Sequence, residues 1–240
     1  MSWFAHWFNS PYYHALYKNR DEKEAQAFID NLVQYLQITK GSKLIDIACG
    51  KGRHATYFNS LGLDVVGVDL SPNSIASATK NANATLQFSV HDMREVYQEN
   101  SFDVVTNLFT SFGYFEENTD EQKAINAMAS NLKSEGVLII DFMNVKKVIT
   151  NLVASEQKTI DGITFDISRK IEAGHIIKYI QITDGAIKQH FQEKVKAITL
   201  ANYSEFITTA GLKIIDIFGN YKLKDFNAIT SDRLILICKK

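Results

Sequence analysis

The sequence predicts an α/β protein, a doubly wound sheet with a small antiparallel β insertion, and three observations carry that expectation. Short apolar, β-branched runs recur at 44–48, 64–68, 85–90, 102–107 and 137–142, with helical segments between them. Runs such as VLII lack alternation, as strands buried on both faces of a parallel sheet do. Beyond residue 144 apolar residues alternate with charged ones, as in a one-sided antiparallel sheet.

Each element has its own signal. Ahead of the first strand, DEKEAQAFIDNLVQYLQ reads as an amphipathic helix, with Asp21 and Glu24 approximating a capping box and Phe28, Leu32 and Leu36 as its stripe. The aromatic segment SPYYHALYKNR precedes it. After the second strand, SPNSIASATKNA offers Ser71 as N-cap and Pro72 at the first helical position. DEQKAINAMASNLKSEG spaces Ile125, Met128 and Leu132 along one face and is expected to end near Gly136. Within 158–197, turns fall at EAGH and TDGA, around Gly174 and Gly185. YSEFITTAG suggests a last helix, and LKIIDIF and RLILICK two closing strands, seven in the sheet altogether. The expected organisation is a helical cap at 1–40, a core at 41–150 and 200–240, and inserted hairpins at 156–199.

Composition excludes several classes. The 240 residues are 45% hydrophobic, enough for a sizeable core. A formal net charge of −1 and the absence of a basic block give no long-range pull toward nucleic acid or anionic lipid, so neither partner is expected. Cys49 and Cys238 lie too far apart for a zinc-type cluster, no acidic pair has metal-ligand spacing, and no metal is expected. The N-terminal MSWFAHWFNSPYYH lacks the basic start and apolar core of a secretory signal, and no run is long enough to span a bilayer. A cytoplasmic protein is expected.

The loop after the first strand raises the question of ligand. Gly50, Gly52 and Ala55 formally fit the dinucleotide pattern G-x-G-x-x-A, and Asp69 lies 17 residues beyond Gly52 at the end of the next strand. A plain strand-to-helix turn would use the same glycines. Three further features bear on the choice. Asp46 sits inside an apolar strand, where a carboxylate is costly unless donors or a cation satisfy it. HDMRE places His91 and Asp92 just after the third strand, and the fourth runs into TNLFTSFGYF with Asn107 at its end. Asp46, Asp69, Asp92 and Asn107 thus converge at the carboxyl edge, where open α/β sheets bind ligands. Such a set suits ribose hydroxyls, an adenine amino group and an ammonium, with no pyrophosphate. S-adenosylmethionine is that ligand.

LIDIACGKG, VDLS, HDMRE and LKSEGVLIIDF then show a resemblance over essentially the whole chain. The sequence resembles the class I S-adenosylmethionine-dependent methyltransferases, whose Rossmann-like sheet of seven strands has its last strand antiparallel. The resemblance implies that Ala48, Gly50 and Gly52 wrap the amino-acid portion of the cofactor. It implies that Asp69 accepts from both ribose hydroxyls with Leu70 against the adenine, and that Asp92 meets the adenine amino group with Met93 beside the ring. Asn107 and Leu108 would pass along the methionine chain. A tyrosine- and arginine-bearing N-terminal segment with a β insertion is similar to the glycine N-methyltransferase-like and aminosugar N-methyltransferase branch. By position, Tyr13 or Tyr17 would then lie near the sulfonium and Arg20 would pair with the cofactor carboxylate; a tyrosine face there is a reasonable cation–π partner.

The expected reaction moves a methyl group to a nitrogen or oxygen of a small molecule by in-line displacement, so alignment and exclusion of water are the main tasks. A general base matters only if the acceptor arrives protonated. His54, Tyr114, Asp141 and His190 are the base candidates, and none is selected; Tyr114 and His190 are carried forward. Thr110, Ser111, Phe112 and Tyr114 are expected at the acceptor mouth with Tyr13. The aromatic entrance of Trp3, Phe4, Trp7, Phe8 and Tyr12 suits a partly apolar acceptor or packs the N-terminal helix on the core. The insertion is expected to be a lid, a homodimer surface, or both. Two rival readings stand: an NAD(P)-dependent oxidoreductase using the same loop, and a non-catalytic cofactor-binding regulatory domain.

Overall fold

The computed structural model describes residues 3–18 and 22–240, without the side chains of residues 3–5 and 118. The chain opens with helices α1 (Trp3–Phe8), α2 (Pro11–Leu16) and α3 (Glu22–Tyr35). The alternating core follows as β1 (Lys43–Ile47), α4 (Arg53–Ser60), β2 (Asp64–Asp69), α5 (Pro72–Ala78), β3 (Leu86–Val90), β4 (Phe102–Asn107), α6 (Asn118–Asn131), β5 (Leu132–Met143) and α7 (Val145–Thr150). The insertion comprises β6 (Ser155–Ile160), β7 (Ile163–Glu172), β8 (His175–Asp184) and β9 (Ile187–Lys196). The chain closes with α8 (Leu200–Thr209), β10 (Lys213–Phe218) and β11 (Arg233–Lys239).

Seven strands form one sheet in the order β10-β11-β5-β4-β1-β2-β3. β1 to β5 run parallel, and β11 runs antiparallel to both its neighbours, β5 and β10. The two-residue period of a strand sends successive side chains to opposite faces. Leu44 therefore packs with Phe28, Leu32 and Phe58 of α3 and α4, whereas Ile45 and Ile47 join Ile125, Met128 and Tyr203 of α6 and α8. The seven-stranded doubly wound sheet with its last strand reversed is the expected one. Ser71 caps α5 as expected, its hydroxyl accepting from Ser74 N, with Pro72 in the first turn.

Two local expectations need revision. α6 ends at Asn131, not near Gly136, because Leu132 turns extended and pairs with Phe102, burying its side chain fully. The next residues turn the chain, with Glu135 at φ 64°, before the ladder resumes at Val137. The insertion has a third two-residue turn at Asp161–Gly162, which creates the β6–β7 hairpin. Asp161–Gly162 and Ala173–Gly174 both hold positive φ at both positions, as type I′ turns require; at the β8–β9 turn only Gly185 does, as in type II′. Asp21, the expected capping acid, lies outside the described residues.

The four strands β6-β7-β8-β9 form a separate antiparallel sheet. One face carries Phe165, Ile167, Ile180, Ile182 and Phe191, and these are covered by Trp7, Tyr12 and Leu16 of α1 and α2. The N-terminal aromatics thus pack on the insertion, while α3 packs on the core. No helix among the described residues is long and apolar enough to cross a membrane.

Candidate active site

A cavity of about 470 Å³ opens at the carboxyl edge of the parallel strands. Its floor is the loop between β1 and α4. Ala48 (φ 60°), Gly50 (φ 58°) and Gly52 (φ 76°) all take left-handed backbone there. For Ala48 this costs on the order of 1–2 kcal/mol, strain that a well-determined loop must hold. Gly52 answers to packing as well: a Cβ there would stand 2.6 Å from the Phe88 ring. The structure puts Gly52 outside the cavity wall, at the N-terminus of α4.

Two carboxylates meet that loop. Asp69, closing β2, accepts from Gly50 N at 2.9 Å and from Ser71 N at 2.8 Å, one through each oxygen. Each oxygen keeps a lone pair for a ligand hydroxyl. Burial raises the Asp69 pKa, and the Ser71 and Gly50 amides pull it back. Asp46 is 1% exposed and lines the cavity. Its Oδ1 accepts from the Thr106 hydroxyl at 2.8 Å, and its Oδ2 has no hydrogen-bond partner among the described residues. A buried acceptor left in that condition suits a ligand donor, above all a cationic one. The donor set therefore fits S-adenosylmethionine: an ammonium for Asp46 and ribose hydroxyls for Asp69.

Further along, Leu70, Asp92, Met93 and Leu108 line the wall. Asp92 is gripped by Arg94 through Nε and Nη2, at 3.0 and 2.6 Å, and Arg94 reaches on to Asp120 at 2.7 Å. Those bonds hold its pKa below the usual carboxylate range. Asn107 is fully buried behind the wall, its Nδ2 donating to the Ile47 carbonyl at 3.1 Å. It anchors the end of β4 to β1.

The other end of the cavity is aromatic. Tyr13 stands 5.0 Å from both Phe8 and Tyr17, and Phe8 5.2 Å from Tyr114. Ser111 and Phe112 share that wall. The Tyr17 hydroxyl donates to Glu193 Oε1 at 2.7 Å and accepts from Lys178 Nζ, and Trp7 Nε1 donates to the same Oε1 at 2.7 Å. Lys178 and Glu193 face each other across β8 and β9. Burial pushes the Lys178 ammonium below its ordinary value, against the pull of Glu193. The insertion therefore holds a wall of the cavity in place.

The structure separates several predicted site residues from this wall. Thr110 lies behind it, its Oγ1 accepting from Arg233 Nη2 at 3.0 Å. His190 sits on the exposed face of the insertion opposite Gln181, beside a shallow groove with His6 and Tyr179. Asp141 is wholly buried and bound to Arg233 at 2.7 Å. Tyr114, by contrast, stays on the wall, its hydroxyl donating to the Thr110 carbonyl. Arg20 lies outside the described residues, as do the side chains of Trp3 and Phe4. Of the aromatic entrance, Trp7 and Tyr12 are buried against the insertion and Phe8 reaches the cavity.

Sequence reasoning missed Phe109, Arg53 and His14, which all line the wall. Phe109 lies flat on His54, with ring centroids 4.5 Å apart and planes 10° off parallel. Its place in TNLFTSFGYF, next to Leu108, was the available signal. Burial, then Lys51, lowers the His14 pKa.

Residues 38–198, well over half of the chain, match the model of a family described as a methyltransferase domain. The chain belongs to that family, and its sheet order and nucleoside-suited edge are those of the class I S-adenosylmethionine-dependent methyltransferases. Among curated proteins, it is similar to the dTDP-3-amino-3,4,6-trideoxy-α-D-glucopyranose N,N-dimethyltransferase of Streptomyces venezuelae, 28% identical over 73% of this chain and 77% of that one. A solved S-adenosylmethionine-dependent methyltransferase from Clostridium acetobutylicum superposes with a TM-score of 0.79 at 20% identity, covering 98% of this chain and 97% of the other. An amino pentose methyltransferase from Micromonospora echinaspora, solved with S-adenosylmethionine bound, gives 0.72 at 18% identity, over 96% and 97%.

Proposed function

We propose that the protein transfers a methyl group from S-adenosylmethionine to an amine nitrogen of a small polar molecule such as an amino sugar. The observation that carries this reading is one continuous cavity with carboxylates at one end and a group of aromatic rings at the other. In this reading Asp46 takes the ammonium, Asp69 the ribose hydroxyls, and Ala48 and Gly50 pass under the amino-acid portion. Leu70, Asp92, Met93 and Leu108 receive the adenine and the methionine chain, with Gly52 and Asn107 shaping the loop from behind. Arg20 is the proposed partner of the cofactor carboxylate. Tyr13, Tyr17, Ser111, Phe112 and Tyr114 enclose the acceptor. Aromatic faces favour the cationic amine formed as the sulfonium loses its charge. The relatives named as amino-sugar dimethyltransferases and glycine/sarcosine N-methyltransferases support nitrogen over oxygen.

The cofactor supplies an activated methyl group. The chain's own residues bind it, orient it in line with the acceptor nitrogen and exclude water. A neutral amine needs no base to attack, and an ammonium acceptor would first lose its proton to solvent. The two buried thiols, Cys49 and Cys238, are free, which supports a reducing cytoplasm as the working compartment. Titration calorimetry with S-adenosylhomocysteine and with NADH, followed by methyl transfer to paired amino and hydroxy sugars, tests the reading. Heat with S-adenosylhomocysteine alone and product from the amino sugar alone are expected. Binding of NADH without S-adenosylhomocysteine would overturn it.

A further inference from the structure

Phe109 and Thr110 are consecutive non-glycine residues in left-handed backbone, at φ 57° and 64°, with one residue, Leu108, between them and the end of β4. Backbone of that kind persists only where its surroundings over-determine it, and it gathers at functional sites. The restraint here is Asp141, near the end of β5. Its Oδ2 accepts from Phe109 N at 2.9 Å, and its main-chain carbonyl accepts from Thr110 N at 2.9 Å. Arg233, the first residue of β11, spans both partners: Nε donates to Asp141 Oδ1 at 2.7 Å and Nη2 to the Thr110 hydroxyl at 3.0 Å. Tyr221 adds a donor to Asp141 at 3.4 Å, and its ring stands 5.2 Å from that of Phe109.

Neither Asp141 nor Arg233 lines the cavity, yet what they hold does. Leu108 and Phe109 form wall on the cofactor side, and Tyr114, tied to the Thr110 carbonyl, forms wall on the acceptor side. A buried ion pair is weak evidence for stability, since apolar residues of like volume often serve as well. What an arginine fork supplies beyond that is direction, fixing two separate acceptors at set angles.

We propose that Asp141 and Arg233 are positioning residues for cofactor binding, locking the Phe109–Thr110 turn so that Leu108 and Phe109 meet the methionine chain. The proposal rests on the S-adenosylmethionine reading of the cavity. It moves Asp141 from candidate base to a residue that acts through another.

The test is the double variant Asp141→Val/Arg233→Met, which removes both charges together with the side-chain hold on Phe109 N and leaves no charge unpaired. Thermal unfolding and calorimetric titration with S-adenosylhomocysteine are measured on the full chain. The expected result is a Tm near the parent's with a Kd raised about tenfold or more. An unchanged Kd overturns the proposal, because a purely structural pair would leave binding intact once folding is restored. If the double variant does not fold, Thr110→Gly decides. It relieves one left-handed residue and removes the hydroxyl contact, so a Tm equal or higher with a raised Kd supports the proposal, and an unchanged Kd overturns it. Failure of the parent chain to bind S-adenosylhomocysteine would instead remove the cofactor reading, and that control separates the two failures.

Discussion

Asp46 is a carboxylate buried on the cavity wall, where burial has a cost and, on the proposed reading, a use. Burial pushes its pKa up to about 7; the Thr106 hydroxyl opposes the rise and Asp69 adds to it. The folded value stands above the ordinary 3.8, so between the two the folded chain holds a proton that the unfolded chain has released. Stability from this group is therefore full below the ordinary value and is lost as pH rises toward 7. Asp46→Asn is expected to raise the Tm of the free protein at pH 8. A bound ammonium favours the carboxylate, so cofactor binding should release a proton near neutrality. Calorimetry of the parent with S-adenosylhomocysteine should show Kd weakening from pH 8 to pH 6, a trend absent in the variant. On the proposed reading, Asp69→Ala takes two charge-assisted acceptors away from the ribose hydroxyls, about 3 kcal/mol together, and Kd for S-adenosylhomocysteine should rise roughly 100-fold. Asp46, Asp69 and Asp92 were legible because each interrupts or ends an apolar run. Asn107 was legible as a position only: its amide turns toward the Ile47 and Ser111 carbonyls, which no local pattern announces.

Among elements, the insertion and the N-terminal helices act as one unit. Glu193 joins them, with Trp7, Tyr17 and Lys178 all directed at its carboxylate or at the Tyr17 oxygen. Glu193→Ala would leave Lys178 buried without its counter-ion, a loss of about 3 kcal/mol. Hydrogen exchange should then accelerate across 6–17 while β1 to β5 keep their protection. No change in that segment would separate the helices from the insertion energetically. The hairpins themselves were readable, because glycine in two-residue turns is a local signal. Their docking partner was not, since Tyr17 and Glu193 lie 176 residues apart. The end of α6 misled for a related reason: Leu132 continues the helical spacing, and only its pairing with Phe102 reveals the strand.

At the scale of the whole molecule, the doubly wound architecture could be inferred from strand–helix alternation and right-handed crossovers, whereas the strand order could not, since more than one order obeys the same handedness. The reversal of β11 could not be seen in RLILICK itself and came from resemblance. Because the cavity draws on the ends of β1 to β4 as well as on the insertion, ligand binding should stabilise the chain as a unit. At 100 times Kd, S-adenosylhomocysteine contributes about 2.7 kcal/mol, or roughly 5–10 °C in Tm for a chain of this size. Differential scanning calorimetry should show that shift in a single transition. The reversed strand has one more consequence. A parallel β11 would have brought its last residue to the ligand edge, but the inverted one brings its first, Arg233, together with the connection at 219–232 that precedes it. That connection links two neighbouring antiparallel strands, so it can lengthen without re-seating any helix. Its length can therefore vary while the ends of β1 to β4, which line the cavity, stay as they are.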